Sequence, residues 1–97
     1  MTYQVRWTRP ASIALEQIQD FIAQENPEAA TLVIQDIFHT VERLKDHPKS
    51  GRKGRVRGTY ELILSGLPYI VPYQVKQREI QILSVYHSAR KWPDILG

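Results

Sequence analysis

The sequence predicts an α+β fold in which an N-terminal strand and an antiparallel helical hairpin lie with a four-stranded, mainly antiparallel sheet, the hairpin packed on one face of it. Three observations carry this. Residues 10–25 and 27–47 each repeat apolar side chains at helical spacing. Three later runs, 60–65, 69–75 and 79–87, are rich in β-branched and aromatic residues and bounded by turn formers. Their connectors, Gly66-Leu67-Pro68 and Lys76-Gln77-Arg78, are short enough to demand hairpins, so the three runs pair as a consecutive antiparallel meander.

The elements follow in order. Residues 2–7 alternate Tyr3, Val5 and Trp7 with Gln4 and Arg6, the two-residue period of a half-buried strand. Thr8 is a suitable helix N-cap and Pro10 falls in the first turn, where its missing N–H is no loss. Ala11, Ala14, Leu15, Ile18, Phe21 and Ile22 then form one apolar stripe of a first helix. Asn26-Pro27-Glu28 repeats the start signal, with cap, proline and first-turn acid. The second helix carries Ala30, Val33, Ile34, Ile37, Val41 and Leu44, and His47-Pro48 stops it, because a residue preceding proline avoids helical angles. So short a link between helices makes an antiparallel hairpin, and its joint stripe covers the sheet. The expected buried set is Val5, Trp7, Leu15, Ile18, Ile22, Ile34, Ile37, Val41, Leu62, Val71 and Val85. Residues 49–58, KSGRKGRVRG, hold five cations, no acids and three glycines, and read as a mobile loop. Pro72 cannot donate to a sheet ladder, so one side of its strand is expected to be unpaired or bulged there.

Composition narrows the function classes. At 97 residues with 42% hydrophobic and 24% charged side chains, the chain fits a single domain, 1–97, with one small core. Without cysteine there is no disulfide, no thiolate chemistry and no Cys-based zinc site. No signal-like segment and no membrane-length apolar run is visible, which points to a cytoplasmic protein without a membrane partner. The charge is divided: residues 1–48 carry four Lys/Arg and seven Asp/Glu, residues 49–97 nine and three. A basic half of this kind suits a polyanion, either nucleic acid or an acidic protein.

No metal or nucleotide motif is present, so no cofactor is expected. His39 and His47 read as surface or capping histidines. His87 ends the last strand beside Tyr86, Ser88, Arg90 and Lys91. Such a cluster suits RNA cleavage by in-line attack of the 2′-hydroxyl, with His87 or Tyr86 moving protons and Arg90 clamping phosphate. The bland alternative is that Tyr86 and His87 are strand-end residues pinning the chain terminus. Strand parity puts Tyr86 and His87 on opposite sides unless the strand bulges. Arg52, Lys53, Arg55 and Arg57, with Lys91, are candidate phosphate contacts, and a solvated connector is the equally simple account of that loop.

The chain as a whole resembles toxins of the RelE/ParE superfamily of bacterial type II toxin–antitoxin modules. The resemblance rests on the Leu44-Lys45-Asp46-His47-Pro48 turn, Gly51-Arg52, Gly58-Thr59-Tyr60-Glu61-Leu62, the run from Pro68 to Val75, and the ending from Ile82 to Pro93. It implies a growth-inhibiting toxin silenced by a cognate antitoxin protein. RelE-type members cut mRNA on the ribosome, and ParE-type members poison DNA gyrase without nuclease activity. RelE-type ribonucleases place cations on the middle strands where this chain has Glu61, Ile63 and Ile70, while Arg52, Lys53, Arg55, Arg57, His87 and Arg90 favour RNA. The terminal cluster tips the expectation to a metal-independent, ribosome-dependent endoribonuclease. The alternatives are a gyrase poison and a degenerate toxin that only binds its antitoxin.

Overall fold

In the computed structural model, which describes residues 2–89, β1 (Gln4–Trp7) leads into α1 (Arg9–Ala23) and α2 (Pro27–Glu42). A 3-10 turn at Arg43–Lys45 follows, then β2 (Arg52–Lys53), β3 (Tyr60–Ile63), β4 (Tyr69–Lys76), β5 (Glu79–Ile82) and β6 (Tyr86–His87). Among the described residues these strands make one sheet in the order β1-β5-β4-β3-β2, with β6 beside the start of β4. All pairings are antiparallel except β1 with β5. The expected four strands are present, and the short β2 and β6 extend them.

The helices start for different reasons. Asn26 caps α2 by accepting from the Ala29 N–H at 3.1 Å. Thr8 sits at the N-cap of α1 but makes no side-chain cap. Its hydroxyl instead donates to the Ile82 carbonyl at 2.6 Å, tying the start of α1 to the end of β5. The α2 pattern gives way to the 3-10 turn well before Pro48.

The core lies between hairpin and sheet. Ala11, Leu15, Ile37, Val41 and Leu44 pack against Leu64, Tyr69, Val71, Tyr73, Ile80, Ile82 and Val85. Of the expected buried set, Leu15, Ile37, Val41, Val71 and Val85 are in this cluster, and Val5, Trp7, Ile18, Ile22, Ile34 and Leu62 are half-buried against it. Phe21 departs from expectation, being 72% exposed. At about 100° per residue it lies at the margin of the α1 stripe, roughly 80° from its centre line.

Residues 49–58 are not all connector. Arg52 and Lys53 pair with Glu61 and Tyr60 as β2, and the Gly51 N–H donates to the Tyr73 hydroxyl at 3.0 Å. Gly51 is needed there, because a Cβ would sit 2.7 Å from the Glu61 carbonyl oxygen and 2.8 Å from that hydroxyl.

The third run of the meander is broken as Pro72 demands. The Pro72 carbonyl accepts from the Leu83 N–H at 2.9 Å, so the missing N–H faces the same neighbour. From there to the Ile70–Tyr86 pair, Ser84 and Val85 both stand opposite Val71. This one-residue β-bulge separates β5 from β6 and reverses the side on which every later residue falls.

Candidate functional site

With the helices on one face of the sheet, the other face displays alternate residues of the same strands. The bulge turns Tyr86 onto this outer face, opposite Ile70, and pairing places Glu61 beside Pro72 and Arg52 beside Glu61. A hairpin, β2 and β3, and the distant β6 thus bring Arg52, Glu61 and Tyr86 together.

Their geometry is that of a closed ionic cluster. The Glu61 carboxylate accepts from Arg52 Nε at 2.7 Å; its side chain is 3% exposed and that of Arg52 62%. The Tyr86 hydroxyl donates to Glu61 as well. Burial raises the Tyr86 pKa above the ordinary 10.0, and the Glu61 charge adds to the rise. Arg55 and Arg52 pull it down by smaller amounts, and the hydrogen bond to Glu61 raises it again. Tyr86 is therefore held as a protonated hydrogen-bond donor at neutral pH and is poorly suited to take a proton from a substrate.

His87, the next residue, belongs to the other face. It pairs with Tyr69, whose ring it meets edge-on at 5.8 Å, and its Nδ1 accepts from the Ala89 N–H at 3.1 Å. The chain does bulge, but upstream of both residues, so Tyr86 and His87 remain on opposite sides. Lys53, paired with Tyr60, alternates away from Arg52. Arg55 and Arg57 are exposed on the turn between β2 and β3, which is closed by the Gly54 N–H on the Thr59 carbonyl at 2.9 Å. Arg90 and Lys91 lie outside the described residues. His39 and His47 are exposed, and among the described residues no group of three His, Asp or Glu could hold a metal.

Glu61 is the member that sequence reasoning did not place in the site. It is the sole acid between residues 49 and 78, within an apolar strand, and that isolation was its signal. A second polar array crosses the outer face further along. Arg6 donates to Glu79 at 3.1 Å, Gln81 to Glu79 at 2.6 Å and Gln74 to Gln81 at 2.6 Å. Beside it a shallow hollow is lined by Gln4, Lys76, Arg78 and Gln81 among others.

Known proteins share this architecture and sequence. The model of the family described as ParE toxin of the type II toxin–antitoxin system parDE matches residues 5–92. A putative toxin, Y4kP, of Sinorhizobium fredii is 40% identical over 96% of this chain and 96% of its own length. Toxin RelE2 of Caulobacter vibrioides is 30% identical over 90% of this chain and 97% of its own. A chain from the structure of the chromosomal ParDE system of P. aeruginosa superimposes with a TM-score of 0.79 at 34% identity, over 88% of this chain and 95% of that one. A chain of the RelBE2 toxin–antitoxin complex of Mycobacterium tuberculosis shares the fold, with a TM-score of 0.62 at 23% identity over 90% and 99% of the two chains. With the family match running from β1 to beyond β6, the chain belongs to the ParE toxin family of type II toxin–antitoxin systems.

Proposed function

We propose that the protein is the growth-arresting component of its toxin–antitoxin pair and that it acts on DNA gyrase without cutting nucleic acid. The supporting observation is the arrangement around Glu61. An in-line ribonuclease needs a proton acceptor and a proton donor on either side of one phosphate, with free cations between them. Among the described residues the nearest approach to such a set has Arg52 and Tyr86 turned onto a buried carboxylate and His87 on the other face. The family model supports the same direction, being of ParE toxins, while one relative of 30% identity is named RelE2.

The partner that silences the toxin is a cognate antitoxin carrying an acidic segment. Its complement is the basic half of the chain, where β2 exposes Lys53 and the β2–β3 turn exposes Arg55 and Arg57. No described helix is long and apolar enough to cross a membrane, and the cell interior, where gyrase works, is the compartment this reading requires.

Ribosome-dependent mRNA cleavage is the second reading, supported by the same exposed cations and by the residue types near the C-terminus. Induction of the wild-type chain separates the two. Gyrase-linked DNA breaks with an SOS response, intact mRNA and rescue by the antitoxin are expected. His87→Ala is expected to stay toxic. Messages cut within codons on ribosomes, together with a roughly 10²–10⁴-fold fall in cleavage for His87→Ala, would overturn the gyrase reading. A chain harmless at good soluble levels would be a degenerate toxin.

A further inference from the structure

The Glu61 carboxylate is buried while the Arg52 guanidinium that meets it reaches into solvent. A phenol O–H and a guanidinium N–H converge on one carboxylate, with the Arg55 charge acting on the same group of atoms. Such a donor set is what an oxyanion requires: hydrogen bonds from fixed positions, more positive than negative charge, and partial exclusion of water. The site is also preformed. Arg52 is held by β2 pairing, Tyr86 by β6 pairing and by the bulge, and β2 is anchored by the close approach of Gly51 to β3.

We infer that this corner of the outer face is an oxyanion-binding site occupied from within by the carboxylate of Glu61. A ligand fixed to β3 loses no translational freedom on binding, so a free phosphate at ordinary concentration does not displace it. Two consequences follow. The carboxylate joins β2, β3 and β6 by charge, and a phosphate on a macromolecule cannot engage Arg52 and Tyr86 together while Glu61 is present. Removing the carboxylate while keeping both donors converts an internal clamp into an external site for inorganic phosphate. None of this depends on which target the toxin has, since it is read on the isolated chain.

The test compares thermal unfolding of wild type, Glu61→Ala and Glu61→Ala/Arg52→Ala in phosphate and in chloride at matched ionic strength. Phosphate is expected to raise the Tm of Glu61→Ala by about 4–8 °C beyond any general salt effect seen in the other two proteins. If Glu61→Ala is unfolded in chloride, phosphate is expected to restore its folded circular dichroism signal, and not that of the double variant. An equal response to phosphate in all three proteins overturns the inference. So does a Glu61→Ala chain that stays unfolded in phosphate.

Discussion

On β4, Tyr69, Val71 and Tyr73 point into the helical hairpin, whereas Ile70, Pro72 and Gln74 lie on the side turned away from it. The inner set joins a core made almost wholly of carbon, in which the Tyr73 hydroxyl is met by the Gly51 N–H and the Ser50 side chain. Across the outer set run two polar arrays, Arg6–Glu79–Gln81–Gln74 at one end and Arg52–Glu61–Tyr86 at the other. The inner face constrains volume and shape, so related apolar residues can replace one another there at modest cost. The outer face constrains identity, because losing one member of a carboxylate–guanidinium pair leaves the other unmatched. Packing against the helices thus lies on one side of each strand and most polar pairing on the other, although Ile70, Pro72 and Tyr86 are buried on the outer side as well.

The largest effect that would break this division is on the inner face. Ile82 is fully buried and stands opposite Tyr73. Ile82→Ala is expected to cost about 2–5 kcal/mol, a large share of the stability of a domain this small, read as a lower urea midpoint with an unchanged slope. A loss no greater than that of the outer-face change Gln81→Ala would mean that the two faces share the burden.

Gly51→Ala tests the seam between the faces. The added methyl would press on the Glu61 carbonyl oxygen and the Tyr73 hydroxyl, and a backbone oxygen in a paired strand has little room to yield. A loss of about 1–3 kcal/mol is expected, visible as a lower Tm. Full stability would show that β2 can lift from the sheet without consequence.

These expectations also mark what could be read from the sequence. The two helical stripes, the meander and the strand at residues 2–7 were legible because each is a local period that repeats within ten or fifteen residues. Pro72 announced its break because its defect is its own. The site was harder. The partnership of Arg52, Glu61 and Tyr86 depends on pairing register, and register past Pro72 depends on one extra residue, Ser84 or Val85, that no periodicity marks. The 49–58 segment reads as all loop because two residues of strand carry no pattern. Phe21 misled because spacing alone does not say where a stripe ends.

Tyr73 gives the inner face a pH response. Burial raises its pKa above 10.0; the Gly51 N–H lowers it, the Tyr60 charge raises it and Ser50 lowers it, each by less. A raised folded-state pKa gives stability that is complete below the unfolded value and lost as pH climbs through the folded one. Stability of the wild type is therefore expected to fall above pH 10. Tyr73→Phe loses about 1 kcal/mol at neutral pH with the Gly51 hydrogen bond and then declines less steeply in alkali, with Tyr86 still contributing. Parallel alkaline slopes for the two proteins would remove Tyr73 as a source of the effect.

The smallest effect belongs to the outer array. The Glu79 carboxyl is held below its ordinary 4.5 first by the Gln81 hydrogen bond, then by the hydrogen bond and charge of Arg6, against a small opposing effect of desolvation. A depressed carboxyl gives stability that is present above the unfolded pKa and lost as pH falls through the folded one. Between pH 7 and pH 3 the wild type is thus expected to lose slightly more Tm than Glu79→Gln, which has no charge to lose. The pair is open to water, with the Arg6 side chain 54% exposed, so 0.5 M salt should shrink the difference. If the difference instead persisted in salt and approached the cost of Ile82→Ala, the outer face would be bearing structural load. The expectation that packing against the helices outweighs the outer polar pairs would then have to be withdrawn.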